Sequence, residues 1–504
     1  MGGLGASSFA IGSGGMPHSP GPVRDRGPQL RPKFDGGTMI ILARALALVV
    51  LVCNAAAAGT LYVSASAGDD ANACTLAASP CKTVGRALDV AVSGDSVQVA
   101  PGTYTESNSV INAGDIEISG GWDDGVSDPN DATVIEPRHD RGLAFTYDGT
   151  NSGTVALRDL TIQKTRYGHR SDLVNAYGDN TYSAYGGGLF VLASGNASVG
   201  VVIDHVSFVK NRSPLGGGAA LIASGDASMT VTVADSVFSK NRASTAGGLF
   251  VLDDSALMPN INVERTVFSK NNGTGAISAL LVAVRQKTET TSTVLLSRLT
   301  FQENRGGTVD VDVRGGELDL QLENSVFVNN TSIDWGTALF AIAGPNAVPD
   351  GAGGYQHVPG HLRATSVNNS VSHNSGRIPA LVVEAGNFGY QPAQIEFVST
   401  NDIIYGNAGG DVLAVSYFGA PVNLTRGNGI QGPASGASED VTIVNNNILN
   451  VDPRFQSANS DLHLRADSPA IDAVSCAASP AEDFDGEVRP QGSQCDIGAD
   501  EYVP

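Results

Sequence analysis

The sequence predicts an all-β solenoid, in which short strands wind into the coils of one parallel β-helix. Three observations predict it: a repeat of about thirty residues, short segments rich in Val, Ile, Leu and Thr, and glycine or asparagine between those segments. The 61 glycines among 504 residues suit a chain with many corners, where positive φ is needed. One repeat array therefore takes up most of the chain.

The repeat is carried by a pair of residues. Phe208, Phe238 and Phe268 are thirty residues apart, and an asparagine follows each of them three positions later. The same spacing recurs in the pairs Phe301/Asn304, Phe327/Asn330 and Ile404/Asn407. A period of this size indicates a solenoid in which each repeat covers the open face of the previous one. We expect the phenylalanines and asparagines to stack in two ladders at intervals of about 4.8 Å.

These repeats resemble those of a known family. The Phe-x-x-Asn and Gly-Gly-apolar pairs, over roughly residues 155–410, resemble the repeats of polymorphic outer-membrane proteins within the pectin-lyase-like superfamily. The resemblance implies a single right-handed parallel β-helix, which we place at residues 59–450. Before the repeats, Val84, Ala87, Leu88 and Ala91 form an apolar stripe that predicts a short helical cap on the first coil.

Residues 1–58 have the character of a leader. Residues 39–58 combine Arg44, an apolar core from Ala45 to Cys53 and small residues up to Ala58, which predicts a secretory signal peptide. The apolar core is too short for a membrane anchor, so we expect no integral membrane segment in the mature chain. The predicted location is outside the cytoplasm of a bacterium: extracellular, at the cell surface or in the periplasm.

Charge and cysteines agree with export. The formal net charge is −21, and because residues 1–58 carry +3, the remainder carries −24, which argues against nucleic acid as a partner. Once Cys53 has left with the signal, local pairing predicts the disulfides Cys74–Cys81 and Cys476–Cys495. The alternatives are four free thiols or a metal site made from distant cysteines.

The C-terminal block, residues 451–504, contains five short motifs. They are VDPRF, DLHL, SPAID, DFDGEVRP and DIGADEY, in that order. Together they resemble the choice-of-anchor Q domain of bacterial β-helix surface proteins, and we expect a small C-terminal cap domain. Asp483, Asp485 and Asp496 could bind Ca²⁺ through oxygen; alternatively they cap turns and pair with arginines. No other cofactor is predicted.

A break in the period indicates a candidate binding loop. Between Ile162 and Phe208 the repeat is sixteen residues longer than usual. The long loop has four tyrosines and three basic residues, namely Tyr167, Tyr177, Tyr182, Tyr185, Arg166, His169 and Arg170. Tyrosine rings and basic groups suit acidic sugars, and long loops on rigid scaffolds often bind ligands. The alternative is a loop packed down against the solenoid.

Candidates for catalysis are few. Arg138, Arg166 and His169 are the residues that a polysaccharide lyase could use here. The pair Asp204/His205 resembles an element of pectate lyases, but it aligns with Ala234/Asp235 and Glu264/Arg265 in the repeat, which indicates an ordinary polar step.

Three functions are therefore open. The preferred interpretation is a secreted or cell-surface protein that binds glycans or another surface in an adhesive or structural role. The alternative is a polysaccharide lyase or glycoside hydrolase of the pectin-lyase-like superfamily, and the third interpretation is a spacer without a site. The polymer and the oligomeric state are not predicted.

Overall fold

The computed structural model describes most of residues 58–504. It covers residues 58–504 apart from 129–130, 169–184, 256–259, 289, 333–335, 351–353, 387–392, 433–435, 438–440 and 458. The predicted signal peptide therefore lies outside the described residues, except for Ala58. Among the described helices, none combines the length and apolar character needed to cross a bilayer.

The chain is a parallel β-helix with three faces. Apart from the first and last coils, each coil adds one strand to each face, and every pairing along a face is parallel. Face 1 consists of Thr60–Val63, Asp95–Val99, Ile116–Ser119, Ser152–Arg158, Ser198–Asp204, Ser228–Ala234, Asn260–Glu264, Thr291–Ser297, Gly316–Glu323, Gly360–Val367, Gln394–Thr400, Val422–Gln431 and Val441–Leu449. The all-β, parallel β-helix prediction is thus confirmed.

The other two faces follow in each coil. Face 2 consists of Gly102–Tyr104, Thr133–Ile135, Thr161–Gln163, Ser207–Val209, Val237–Ser239, Val267–Ser269, Thr300–Gln302, Val326–Val328, Ser370–Ser372 and Ile403–Tyr405. Face 3 consists of Asn108–Ile111, Leu143–Tyr147, Leu189–Ala193, Ala219–Gly225, Leu249–Ser255, Asn272–Val284, Arg305–Arg314, Leu339–Gly344, Leu381–Gly386, Val412–Tyr417 and Gly436–Ala437, with the short strands Arg242–Ala243, Thr331–Ser332 and Ser375–Gly376 at its border. Two antiparallel hairpins join Asn346–Pro349 to Tyr355–Val358, and Phe455–Ser457 to Asp461–Leu464.

Two ladders fill the interior as the repeat predicted. The rings of Phe208, Phe238, Phe268, Phe301 and Phe327 are buried and stack with centroids 4.7–5.0 Å apart. Beside them, Asn241 accepts a hydrogen bond from the backbone of Asn211 at 2.9 Å and donates one to the carbonyl of Phe208 at 2.9 Å. The next coils repeat this pattern. The Phe-x-x-Asn spacing exists because each asparagine satisfies backbone groups of the coil before it.

The first coil has the predicted helical cap. The helix Val84–Val90 starts at Thr83, whose hydroxyl accepts a hydrogen bond from the Arg86 N–H at 3.1 Å, and it buries Val84, Ala87 and Leu88. Both predicted disulfides, Cys74–Cys81 and Cys476–Cys495, are present. Two disulfides indicate folding in an oxidising compartment.

The C-terminal block occupies a different place from the one expected. It lies along the side of the solenoid and does not close its end. Phe455, Leu462, Ile497 and Ala499 pack in one apolar cluster with residues that point outward from face 2, namely Val326, Val328 and Ile403. Hydrogen bonds fix this position, among them Asn368 to the carbonyls of Asp496 and Gly498 at 2.9 and 3.0 Å. The outer side of face 2 is apolar here, and burying it stabilises the block in this position.

A buried carboxyl group interrupts the outer rows of face 3. These rows are apolar, and Asp310 stands in one of them between Leu281 and Phe340. Its side chain is buried, and its Oδ1 has no hydrogen-bond partner. Burial, together with the neighbouring Asp312, raises the pKa of Asp310 well above its usual value. An acid whose pKa is raised by folding lowers stability at pH values above its unfolded pKa, which is about 3.9.

We expect Asp310→Leu to raise the free energy of unfolding by about 1–3 kcal/mol at pH 7, because the variant removes an unsatisfied buried carboxyl group. The gain should shrink as the pH falls towards 4, where the unfolded state also binds the proton. Urea unfolding at several pH values measures it. The exposed Asp69→Leu is the control and should change stability by less than about 0.5 kcal/mol. An equal gain at pH 4 and pH 7 would contradict the assignment.

Candidate functional site

A column of basic side chains runs along the corner between faces 2 and 3. The residue that turns the chain after each short strand is Lys164, Lys210, Lys240 or Lys270 in four successive coils, with φ between 53° and 58°. An arginine follows the first three of these lysines two positions later. In the coil after Lys270, Arg305 takes the equivalent place. We define the basic column as Lys164, Arg166, Lys210, Arg212, Lys240, Arg242, Lys270 and Arg305.

The interior ladders hold this column in register. Each lysine lies between a residue of the inward apolar ladder and one of the inward polar ladder, as Lys240 lies between Phe238 and Asn241. The backbone N–H of Lys210 donates to Ser239 at 3.0 Å, and that of Lys240 donates to Ser269 at 2.9 Å. Coils repeat at about 4.8 Å, so the column presents charges at this interval over about 20 Å.

The column concentrates the positive charge of an acidic protein. Four of the chain's seven lysines belong to it, although the net charge of the chain is −21. All eight side chains are exposed. Among the described residues, Lys210 and Lys240 form no ion pair, whereas Lys164 binds Glu136 at 2.9 Å and Lys270 lies 3.6 Å from Glu303. Since like charges at such spacing repel one another, the column suits an extended polyanion.

One end of the column joins the start of the long loop. Arg166 belongs to the column, and the Tyr167 N–H donates to the carbonyl of Arg212 at 2.9 Å. The guanidinium of Arg141 stacks over the Tyr167 ring at 3.9 Å and over the Phe190 ring at 4.3 Å. Burial lowers the pKa of Arg141. Tyr167 is therefore held beside the column by a cation–π contact.

The other predicted loop residues divide into two groups. Tyr185 is buried, and its ring stacks on Phe250 at 5.7 Å, so it offers no exposed face to a ligand. His169, Arg170, Tyr177 and Tyr182 lie outside the described residues, and their roles stay predictions. Arg138 stands just before the column, with an exposed side chain that pairs with the buried Glu136 at 2.9 Å.

The predicted calcium ligands do not all come together. Asp483 and Asp485 both lie near Asp500 in groups of side chains that could hold a metal ion, whereas Asp496 belongs to none of these groups among the described residues. Asp483 accepts three backbone N–H groups at 2.8–3.0 Å. The hydrogen bond to Asp485, at 2.7 Å, raises the pKa of His463 to about 10, so this imidazole is protonated at neutral pH. One of the two groups, Asp483 with Glu487 and Asp500, offers only oxygen ligands, and the described contacts of Asp483 and Asp485 are turn caps and an ion pair.

A second polar feature lies on the outside of face 1. A shallow groove of about 440 Å³ is lined by hydroxyl and amide side chains, including Thr232 and Asn262, with Asp319 and Arg363 among its other lining residues. Arg363 binds Asp319 at 2.8 Å and Glu317 at 2.7 Å. The pKa of Glu317 is lowered by a hydrogen bond from Thr291 and by Arg363. Here an arginine and two carboxylates from adjacent coils meet beside a groove.

The polar pair Asp204/His205 belongs to the corner between faces 1 and 2. His205 Nδ1 lies 2.8 Å from Asp204, which also binds Arg158. One coil apart, Arg265 binds Asp235 at 2.8 Å. The pair is thus one step in a row of ion pairs along this corner, as its alignment with the repeat indicated.

The basic column was missed at the sequence level. Its signal is present in the repeats SFVKNR, VFSKNR and VFSKNN, where a lysine always precedes the ladder asparagine. The lysines are thirty residues apart or more, so only stacking of the coils brings them together. The groove residues Asp319 and Arg363, and Glu317 that pairs with Arg363, were also missed, because no motif distinguishes them from other strand residues that point outward.

Comparison with known proteins gives a short match and two distant structural likenesses. A family described as a protein of unknown function, DUF1565, matches residues 66–110. No curated protein sequence matches the chain. Among solved structures, pectate lyase Pel9A is similar with 12% identity over 88% of this chain and 96% of its own, at a TM-score of 0.38. A complex of XylC with xylose is similar with 9% identity over 88% of this chain and 98% of its own, at a TM-score of 0.30.

Proposed function

We propose that this is an exported β-helix protein that binds an acidic glycan through the basic column and the adjoining start of the long loop. The observation that carries the proposal is the stacking of eight exposed cationic side chains on one corner of a chain whose net charge is −21. An adhesive role at a cell surface or in the extracellular space follows from such binding.

The chemistry favours an acidic polysaccharide. Lysines at intervals of about 4.8 Å can each meet one carboxylate or sulfate of an extended chain, because this interval is close to the length of one sugar unit. The exposed arginines add forked donors that match carboxylates. The acidic remainder of the surface repels polyanions and so confines binding to the column.

The test is the triple variant Lys210→Gln/Lys240→Gln/Lys270→Gln. We expect it to weaken binding to a polyuronate by about 10- to 100-fold at low salt, since each exposed charge contributes up to about 1 kcal/mol. Affinity electrophoresis in gels that contain polygalacturonate, alginate or a neutral glucan measures the loss. Binding of the unmodified protein should also weaken as salt rises to 0.5 M, because salt screens exposed charges.

The matched control removes lysines elsewhere. Lys82→Gln/Lys287→Gln changes two exposed lysines outside the column and should leave binding unchanged. Equal binding by the triple variant, or equal loss in the control, would overturn the proposal. Tighter binding to DNA than to any polysaccharide would show that charge alone, and not a glycan, is recognised.

The alternative function is cleavage of a polysaccharide, and the groove of face 1 favours it. Arg363, Glu317 and Asp319 would be the residues that meet the substrate there. The same polymers should be assayed for new reducing ends and for unsaturated uronide absorbance. Cleavage that is lost in Arg363→Gln but kept in the triple lysine variant would favour the enzyme over the binding protein.

A further inference from the structure

The two ends of the solenoid differ in whether the outer edge of the face 1 strand is covered. At the N-terminal end, the edge of the strand Thr60–Val63 is covered by the loop that the Cys74–Cys81 disulfide closes. Tyr62 donates to the Cys74 carbonyl at 2.8 Å and accepts from the Cys81 N–H at 2.9 Å. The helix Val84–Val90 covers the apolar interior of this coil. The covered edge at this end is that of face 1, whereas the first strands of faces 2 and 3, Gly102–Tyr104 and Asn108–Ile111, pair with a strand on one side only.

The C-terminal end has a free edge. The strand Val441–Leu449 pairs with Val422–Gln431 on one side, and no strand of the described chain pairs with its other side. Val444, Ile448 and Leu449 are 46%, 42% and 53% exposed. The C-terminal block does not cover this edge, because it continues onto the side of face 2.

The free strand lacks charge and proline, two features that block edge pairing, and it bends from face 1 to face 2 at a register shift between Asn446 and Ile448. Natural edges are usually short, charged or interrupted by proline. This strand is nine residues long, VTIVNNNIL, and contains no charged residue and no proline. A strand edge of this kind is a template for pairing with another strand.

The sequence of the strand Val441–Leu449 is complementary to that of a second, antiparallel copy of the same strand. Residues 441–451 read VTIVNNNILNV, which is nearly palindromic in residue character about Asn446. Antiparallel pairing centred there places residues of one kind opposite each other within the strand: Val444 with Ile448, Asn445 with Asn447 and Asn446 with itself. Such cross-strand pairs stabilise an antiparallel ladder, and the two-fold axis makes each of them occur twice, except the Asn446 pair on the axis itself.

We infer that two copies of this chain associate end to end through the strands Val441–Leu449, around a two-fold axis at Asn446. The partner is a second copy because the strand is its own complement and because it is an uncharged part of a protein that otherwise repels itself. Because the two-fold contact uses the same strand of both copies, it closes as a dimer and does not grow into a filament. The dimer would place two basic columns on one particle, which raises avidity for a polymer.

Sedimentation of the full purified chain from 1 to 100 µM tests the inference. We expect a concentration-dependent shift from monomer to dimer that becomes stronger with salt, because salt screens the repulsion between two chains of charge −21. Val444→Lys/Ile448→Lys should remain a monomer over this range. The control Val126→Lys, at a side chain that is 66% exposed elsewhere, should still form the dimer.

A second measurement does not depend on a variant. Amide hydrogen exchange in residues 441–449 of the unmodified chain should slow at least tenfold between low and high protein concentration, while exchange in Thr60–Val63 stays the same. A monomer at every concentration, a dimer that persists in the double lysine variant, or exchange in 441–449 that ignores concentration would each overturn the inference.

Discussion

Phe268→Ala is expected to lower the free energy of unfolding by about 3–5 kcal/mol. Phe268 is fully buried in the centre of the aromatic ladder, 5.0 Å from both Phe238 and Phe301. Truncation leaves a cavity that the coils cannot close, because ladders of backbone hydrogen bonds on three faces hold their spacing. It also removes two ring stacks, each of which contributes about 0.5–1.5 kcal/mol beyond the buried area.

The measurement is urea unfolding followed by far-ultraviolet circular dichroism. Phe418→Ala is the control, because Phe418 is 71% exposed and its loss should change stability by less than about 0.5 kcal/mol. Phe268→Leu keeps most of the buried volume and should recover more than half of the loss. If Phe268→Ala and Phe418→Ala have equal effects, the ladder does not contribute what its geometry indicates.

Arg489→Met is expected to lower the free energy of unfolding by about 3–5 kcal/mol and to loosen the C-terminal block. Arg489 and Glu501 form an ion pair at 2.8 Å in which both side chains are 1% exposed. The Arg489 guanidinium also donates to the carbonyls of Gly498 and Ala499 at 2.9 and 2.8 Å. Removing the cation leaves the buried Glu501 carboxylate without a counter-charge, with only the N–H groups of Gln491 and Asp496 as donors at 3.0 Å, and this costs far more than the loss of an exposed pair.

Two variants distinguish a buried charge from simple loss of packing. Arg489→Met/Glu501→Leu removes both charges and should regain a large part of the stability, since an apolar pair can replace a buried ion pair. Arg465→Met breaks an exposed contact of 3.5 Å with Asp467 and should have little effect. Amide exchange in residues 461–502 should be faster in Arg489→Met. A double variant no more stable than the single one would contradict this account.

The site and the scaffold depend on each other through the coil corners. The stacking that buries Phe238 and Asn241 also fixes the position of Lys240 on the outside. The backbone that carries these side chains is rigid, so the proposed binding of an extended polymer would order side chains only and not the backbone. The same stacking leaves an unpaired strand edge at each end. The disulfide loop covers the edge of Thr60–Val63, whereas no strand of the described chain pairs with the outer edge of Val441–Leu449.

Much of the interior follows from local rules. The spacing of Phe208, Phe238 and Phe268 determined the coil length and both ladders, because a residue that recurs at the period of a coil must meet its equivalents above and below. The apolar stripe at Val84 predicted the helical cap, and local cysteine spacing predicted both disulfides. The long loop was recognised from its broken period, although most of its residues lie outside the described chain.

The sequence by itself therefore determined the repeat and the residues whose side chains point inward. Burial and hydrogen bonding constrain each of these positions separately in every coil. Only the tertiary structure decided what the outside carries. The lysines of the basic column become neighbours only after the coils stack. The C-terminal block packs against face 2 because apolar side chains from separate coils form one surface there. The physical reason is that the interior repeats the same contacts in every coil, whereas a surface site combines side chains from several coils. The sequence of one repeat therefore does not reveal such a site.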